Sequence, residues 1–310
     1  MTIVVAGGTG LAGSAITRAF QARGAEVLII NRANLDLMDS EATKRFFAKV
    51  KPSLVVDAAA KVGGIGANNS KPVEFLASNL QIQNNLMQGA FDAGVQKFVF
   101  LGSSCIYPRD SEQPIKEEFL MTGPLESTNS AYAVAKIAGI EMINSYRKEH
   151  GVNWISLMPT NLYGPGDNFN LSESHVLPAL IRRFVEAEAT GAQEVVLWGT
   201  GTPLREFLHV DDLASAVVMA NEKYNDSLHL NVGTGHDLSI KALADLIANE
   251  AGFQGEIKWD STKPDGTPRK VLDVSRITAM GWKPSITLEE GVASTIRWFK
   301  EAVSRGEARL

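Results

Sequence analysis

Residues 6–13 read Ala-Gly-Gly-Thr-Gly-Leu-Ala-Gly, directly after the apolar run 2–6 and directly before a stretch with helical spacing. Gly7, Gly10 and Gly13 stand three apart. A strand that turns sharply into a helix through such a run gathers backbone N–H groups at one point, with the positive end of the helix behind them. One glycine permits the tight turn, one lets the backbone approach a ligand, and one lets helix and strand pack closely. The arrangement suits the pyrophosphate of a dinucleotide.

The rest of the N-terminal half follows that beginning. Strands are expected at 2–6, 27–30, 54–57, 97–101 and 154–158. Helices are expected at 11–23, 40–50 (with Asp39 as cap), 72–93 and 129–150. Strict alternation of strand and helix gives a parallel sheet wrapped on both faces, an α/β doubly wound (Rossmann) fold. The strands are continuously apolar, as a sheet buried on both sides requires. Ligands of such sheets bind at the carboxyl ends of the strands, so the loops after Ala6, Asp57, Leu101 and Met158 should converge. Beyond Met158 the rhythm loosens. A Pro-, Gly- and Asn-rich loop at 159–174 precedes a helix at 175–189, a strand at 195–198, a helix at 211–222 and a strand at 228–232. A helix at 240–251, a loop at 263–270 and a helix at 288–302 close the chain. The expected partition is a Rossmann domain of 1–162 and 207–236, with a smaller, discontinuous C-terminal substrate domain of 163–206 and 237–310.

Composition removes whole classes of function. A net charge of −5 over 310 residues offers no broad basic surface, so nucleic acid is not an expected partner. No apolar run is long enough for a membrane span, and no signal peptide is seen, so a cytoplasmic protein is expected. Cys105 is the only cysteine, which excludes an internal disulfide and a cysteine-based zinc site, and no metal is expected.

The second strand ends Ile29-Ile30-Asn31-Arg32. An NAD binder normally carries an acid here for the ribose 2′-hydroxyl, whereas an Arg accommodates a 2′-phosphate. Arg32 therefore points to NADP, and Asp36 falls on the adenine side. Tyr132 and Lys136 stand four apart in a predicted helix, on one face. A nearby ammonium lowers a phenol's pKa, so Tyr132 can pass a proton to a carbonyl oxygen as hydride reaches its carbon. Ser103, just past the strand at 97–101, can hydrogen-bond that oxygen.

With these residues the chain resembles the extended short-chain dehydrogenases that act on nucleotide sugars. The carrying stretches are AAAKVGGIGANN (58–69), LGSSCIYP (101–108), YAVAKIAGIE (132–141), MPTNLYGPGDNF (158–169), SHVLPALIRRF (174–184), WGTGTPLREFLHVDDLA (198–214) and KPDGTPRKVLDVSR (263–276). They span nearly the whole chain. The resemblance is strongest to the branch that epimerises C3 and C5 of GDP-4-keto-6-deoxy-D-mannose and then reduces C4 with NADPH. It implies Ser103, Tyr132 and Lys136 as the reductive set, Cys105 as the epimerising base and His175 as the acid. A thiol and an imidazole suit proton exchange near neutrality. For the cofactor it implies Gly7, Gly10, Leu11, Gly13, Arg32, Asp36, the segment Leu101, Gly102, Ser103 and Ser104, then Tyr132, Lys136, Pro159, Asn161, Leu162 and His175, with Lys61 less defined. Around the GDP part it implies Arg183, Trp198, Arg205, Asp265 and Lys270. Arg205 suits a diphosphate, and Trp198 either packs on ribose or base or belongs to the core. The Asp211-Asp212 pair reads as a helix cap. It further implies a homodimer paired through the helices at 72–93 and 129–150.

Nucleotide-sugar dehydratases carry an acidic pair just after the Ser/Thr position, where this chain has Ser104-Cys105-Ile106. Two alternatives stay open. A simple 4-epimerase that retains its cofactor would turn over without added NADPH. A non-catalytic NADP-sensing regulator would bind NADPH yet be indifferent to Tyr132→Phe.

Overall fold

The computed structural model describes residues 2–263 and 265–310; Met1 and Pro264, the latter within the KPDGTPRK stretch, lie outside the described residues. Six parallel strands form the central sheet. In spatial order they are Leu230–Val232, Asn153–Pro159, Lys97–Leu101, Leu54–Asp57, Thr2–Ala6 and Glu26–Ile30. The chain order reverses between Thr2–Ala6 and Leu54–Asp57, which makes the carboxyl end of that pair the topological switch point.

Alternation along each strand divides the core. Ile3, Val5, Leu54, Val56, Val99, Leu101, Ile155 and Leu157 face the helices Leu11–Gln21 and Val210–Lys223. Val4, Ala6, Val55, Phe98, Phe100, Trp154 and Met158 face the helices Ser40–Val50, Pro72–Asp92 and Ser130–His150. Each large side chain sealed in these layers contributes roughly 1.5–3 kcal/mol. Local chemistry sets the helix ends. Asp39 caps Ser40–Val50 by accepting the Ala42 N–H at 2.9 Å. Gly151, at φ 69°, ends Ser130–His150 after the basic residues Arg147, Lys148 and His150.

A third core, built from Tyr163, Phe169, Phe184, Leu243, Ile247, Val292, Ile296 and Phe299, holds the helices Val176–Thr190, Ile240–Ala251 and Leu288–Arg305 together. Short strands frame it: the expected strand Glu194–Trp198 pairs with Glu256–Asp260, and Leu204–Arg205 pairs with both Leu238–Ser239 and Arg269–Lys270, the last four not predicted by the sequence pattern. Leu272 packs on one face of the central sheet, and Ile277 and Trp282 on the other. One expectation needs correction. Asp211 and Asp212 do not cap their helix. His209 Nδ1 accepts the Asp211 N–H at 3.2 Å, Asp211 pairs with Arg18 at 2.6 Å, and Asp212 accepts from Ser285 and Ile286. No helix among the described residues is long and apolar enough to cross a membrane.

Candidate active site

The glycine turn is built for close approach. Gly7 has φ 75°, and a Cβ there would lie 2.7 Å from the Ala58 carbonyl oxygen. A Cβ at Gly13 would sit 2.2 Å from the Gly7 carbonyl oxygen, so the helix can start this close to the strand only with glycine. The Gly7 and Gly8 N–H groups both donate to Ile30 O, at 2.8 and 3.2 Å. The helix that follows has no side-chain cap at Gly10 and no acid in its first turn, which leaves its positive end available to an anion. Arg32 is exposed just past the second strand, and Asp36, also exposed, accepts the Met38 N–H at 2.9 Å. Lys61, in contrast, is drawn to the Glu74 carboxylate, and its backbone is clamped by Asn79.

At the carboxyl end of Lys97–Leu101, Ser103 caps a short 3-10 turn by accepting the Cys105 N–H at 3.3 Å. A Cβ at Gly102 would collide with Met158, so the glycine lets this loop cross the end of the neighbouring strand. Lys136, almost wholly buried, donates from Nζ to Leu101 O at 2.8 Å and lies 4.7 Å from the Phe100 ring centroid. Burial lowers its pKa and Asp57 pulls it back up. Tyr132 departs from expectation. Desolvation drives its phenol well above the ordinary range, Cys105 and Asp57 push the same way, and only the Ser103 hydroxyl draws it down. The ammonium expected to lower it is turned to the Leu101 carbonyl, 5.9 Å from the Tyr132 ring centroid.

The thiol has donors from two directions. Asn129 Nδ2 lies 3.6 Å and Lys270 Nζ 3.7 Å from Cys105 Sγ. Asn129 precedes the helix bearing Tyr132, whereas Lys270 comes from the strand Arg269–Lys270 of the smaller unit. His175 stands at the N-cap of Val176–Thr190; its ring keeps access to solvent in the cleft, yet surrounding protein, with Lys270 second, holds the imidazole below its usual pKa. One ammonium thus bears on both groups expected to move protons. A cavity beside the thiol is lined by Tyr107, Gln113, Glu126, Asn129 and Lys270.

Further out, Arg205 is partly buried and donates to its own neighbour Leu204 O at 2.8 Å. Asp265 accepts the Thr200 N–H at 2.9 Å and the Thr200 hydroxyl at 2.7 Å, which fastens the 265–270 loop to the 198–205 segment. Arg183 donates to Val196 O at 3.4 Å. Trp198 is 70% exposed, with the Lys263 ammonium 5.7 Å from its ring, so it is a surface platform and not a core residue. Pro159 ends its strand. Asn161, with Leu162 beside it in the strand Asn161–Tyr163, ties that strand to Glu206 O at 2.8 Å. Sequence reasoning missed Asn129, whose only signal is its place before a helix, and Asp57, which ends the third strand.

The NAD dependent epimerase/dehydratase family is matched over residues 3–233. A protein of Oryza sativa subsp. japonica named probable GDP-L-fucose synthase 1 is 56% identical over 303 residues, covering 97% of this chain and 92% of that protein. GDP-L-fucose synthase of Escherichia coli (strain K12) is 49% identical over 98% of each chain. The crystal structure of a GDP-L-fucose synthetase from Naegleria fowleri bound to NADP superposes with a TM-score of 0.90 at 30% identity, covering 100% of this chain and 96% of that one.

Proposed function

The chain belongs to the NAD dependent epimerase/dehydratase family, and from that premise we propose that it is an NADPH-dependent enzyme that converts GDP-4-keto-6-deoxy-D-mannose to GDP-L-fucose by 3,5-epimerisation and 4-reduction. The observation that carries the reading is a thiol with two N–H donors, in the turn that Ser103 caps, one of whose donors, Lys270, also bears on His175. Epimerisation needs a proton-exchanging pair beside the reductive set, and this thiol and histidine supply one. A dehydratase would need carboxylates where Ser104, Cys105 and Ile106 stand.

The glycine turn with its uncapped helix end fits a pyrophosphate, and the exposed Arg32 fits a 2′-phosphate, so Gly7, Gly10, Leu11, Gly13 and Arg32 hold NADP in preference to NAD. When bound, NADPH supplies the hydride for C4. The protein's own residues do the rest. Cys105, as thiolate beside Lys270 and Asn129, removes the proton α to the ketone, and His175 returns one to the opposite face. The sequence is repeated at the second α-carbon. Tyr132 then hands its phenolic proton to the C4 oxygen, which Ser103 holds by a hydrogen bond. Arg183, Trp198, Arg205 and Asp265 surround the GDP part, with Arg205 on the diphosphate.

The pairing surface for a homodimer is the outer side of Pro72–Asp92 and Ser130–His150, where Val134 is 46% exposed; a monomer by sedimentation at micromolar concentration would remove this part. The function is tested by mixing protein, NADPH and GDP-4-keto-6-deoxy-D-mannose and identifying the product by NMR. Loss of nicotinamide absorbance with formation of GDP-L-fucose is expected. Cys105→Ser and His175→Asn should each stop deuterium entering C3 and C5 from D2O, and Cys105→Ser should do so while NADPH affinity holds. Reduction without epimerisation would strip both residues of their roles.

A further inference from the structure

Asp57 ends the strand Leu54–Asp57 at the switch point of the sheet and has no solvent exposure. Its Oδ1 accepts the Ala59 N–H at 3.1 Å, but Oδ2 is buried without a hydrogen-bond partner. An orphan carboxyl oxygen in the interior is costly, so its retention calls for a reason. Strand alternation supplies the direction. Asp57 follows the Val55 face, and its register partners Ala6 and Phe100 both belong to the core layer under Pro72–Asp92 and Ser130–His150. The Lys136 ammonium lies on that same face, against the Phe100 ring and the Leu101 carbonyl. Among the described residues, Lys136 is the charged side chain that draws the Asp57 carboxyl down, and Asp57 is the one that draws the Lys136 ammonium up. Around them, Ser130–His150 also contributes Tyr132, the turn after Lys97–Leu101 contributes Cys105, and Pro72–Asp92 presents the neutral Phe75 and Gln83.

We propose that Asp57 is a positioning residue whose buried carboxylate keeps the Lys136 ammonium charged and in place behind Tyr132, so that it governs reduction and leaves epimerisation to the Cys105 side of the cleft. Burial alone strips the proton from a lysine, and a facing carboxylate is the simplest device that returns it. The carboxylate acts across space, without a direct ion pair among the described residues, and this leaves Nζ free to donate to Leu101 O. Asp57 itself bears the cost of burial, which pushes its carboxyl up to about 6, so it is charged near neutrality and loses its effect as the medium turns acid. The inference rests on the reading of Tyr132 and Lys136 as the proton-transfer pair.

The test compares wild type, Asp57→Asn and Asp57→Leu for NADPH affinity by fluorescence, deuterium entry at C3 and C5 in the presence of NADP, and NADPH oxidation, each across the neutral and alkaline range. In both variants the alkaline limb of NADPH oxidation should move toward neutrality by about one pH unit, with a roughly tenfold loss on the alkaline side, while deuterium entry stays within about twofold. Asp57→Leu removes the orphan oxygen altogether and serves where Asp57→Asn folds poorly. An unmoved alkaline limb in a variant that binds NADPH, or a parallel decline of both partial reactions, overturns the proposal. If wild type oxidises no NADPH with this sugar, the functional reading above fails separately. The inference is then judged on NADPH affinity alone, whose alkaline limb must shift in the same direction in the variants.

Discussion

Tyr132 and Lys136 are one helical turn apart, but spacing alone does not make an acid. The ammonium is engaged by Leu101 O, and the phenol is held neutral by burial, so Tyr132 rests in the protonated form that its proposed role as proton donor requires. Tyr132→Phe removes that proton and keeps the ring against Phe75. NADPH oxidation should fall by about 10²–10⁴-fold, with deuterium entry at C3 and C5 retained, as measured by absorbance and NMR on one sample. Asp167 shows what a buried carboxyl does away from the reacting atoms. It accepts the Asn168 N–H at 2.7 Å, has no partner for Oδ2, and is raised to about 7, mainly by burial. A folded pKa above the unfolded one means the folded state binds more protons between the two values, so stability falls as pH rises from about 4 to about 7. Asp167→Asn should flatten that slope, retaining on the order of 2–4 kcal/mol that wild type loses across the window, by urea unfolding at each pH.

The elements themselves obey rules that can be checked one at a time. Leu288–Arg305 begins with a capping box: Thr287 Oγ1 accepts the Glu290 N–H at 3.2 Å and the Glu290 carboxylate accepts the Thr287 N–H at 3.0 Å. Thr287→Ala should cost about 1 kcal/mol and lower Tm without altering NADPH affinity. The long helices and the five leading strands of the sheet were legible in the sequence because their patterns are local: β-branched runs, helical spacing, and glycines at a turn. The two-residue strands Leu204–Arg205, Leu238–Ser239 and Arg269–Lys270 were not, since a pair so short has no period of its own and exists only because distant segments meet. The site divides the same way. Tyr132 and Lys136 announce themselves by spacing. The donors to Cys105 lie 24 and 165 residues away, so only the assembled fold shows that Lys270, expected near the GDP part, reaches the thiol.

At the scale of the whole molecule, the proposed epimerisation relies on the smaller unit delivering Lys270 to a cysteine in the turn that follows Lys97–Leu101. Glu206 is the joint that sets this distance. It is buried, and its carboxylate accepts the Thr234 and Gly235 N–H groups at 2.6 and 2.7 Å and the Leu272 N–H at 2.9 Å, two residues beyond Lys270. Burial raises its pKa while these N–H groups pull it down, so the charged form is held by the same bonds that fix the chain. Thr160 and Asn161 donate to its backbone oxygen, at 3.4 and 2.8 Å, and so tie the end of the central strand to the same point. Glu206→Gln has one oxygen where the carboxylate has two, and its amide cannot accept from Leu272 while the other side is served. The Leu272 N–H is then buried without a partner, at a cost of about 1–3 kcal/mol, and the strand carrying Lys270 loses its anchor. Deuterium entry at C3 and C5 should therefore fall more steeply than NADPH affinity, because the glycine turn follows Thr2–Ala6, three strands along the sheet from Asn153–Pro159, the strand tied to this joint. Equal losses in both would mean that Glu206 only stabilises the fold and that Lys270 keeps its place without it.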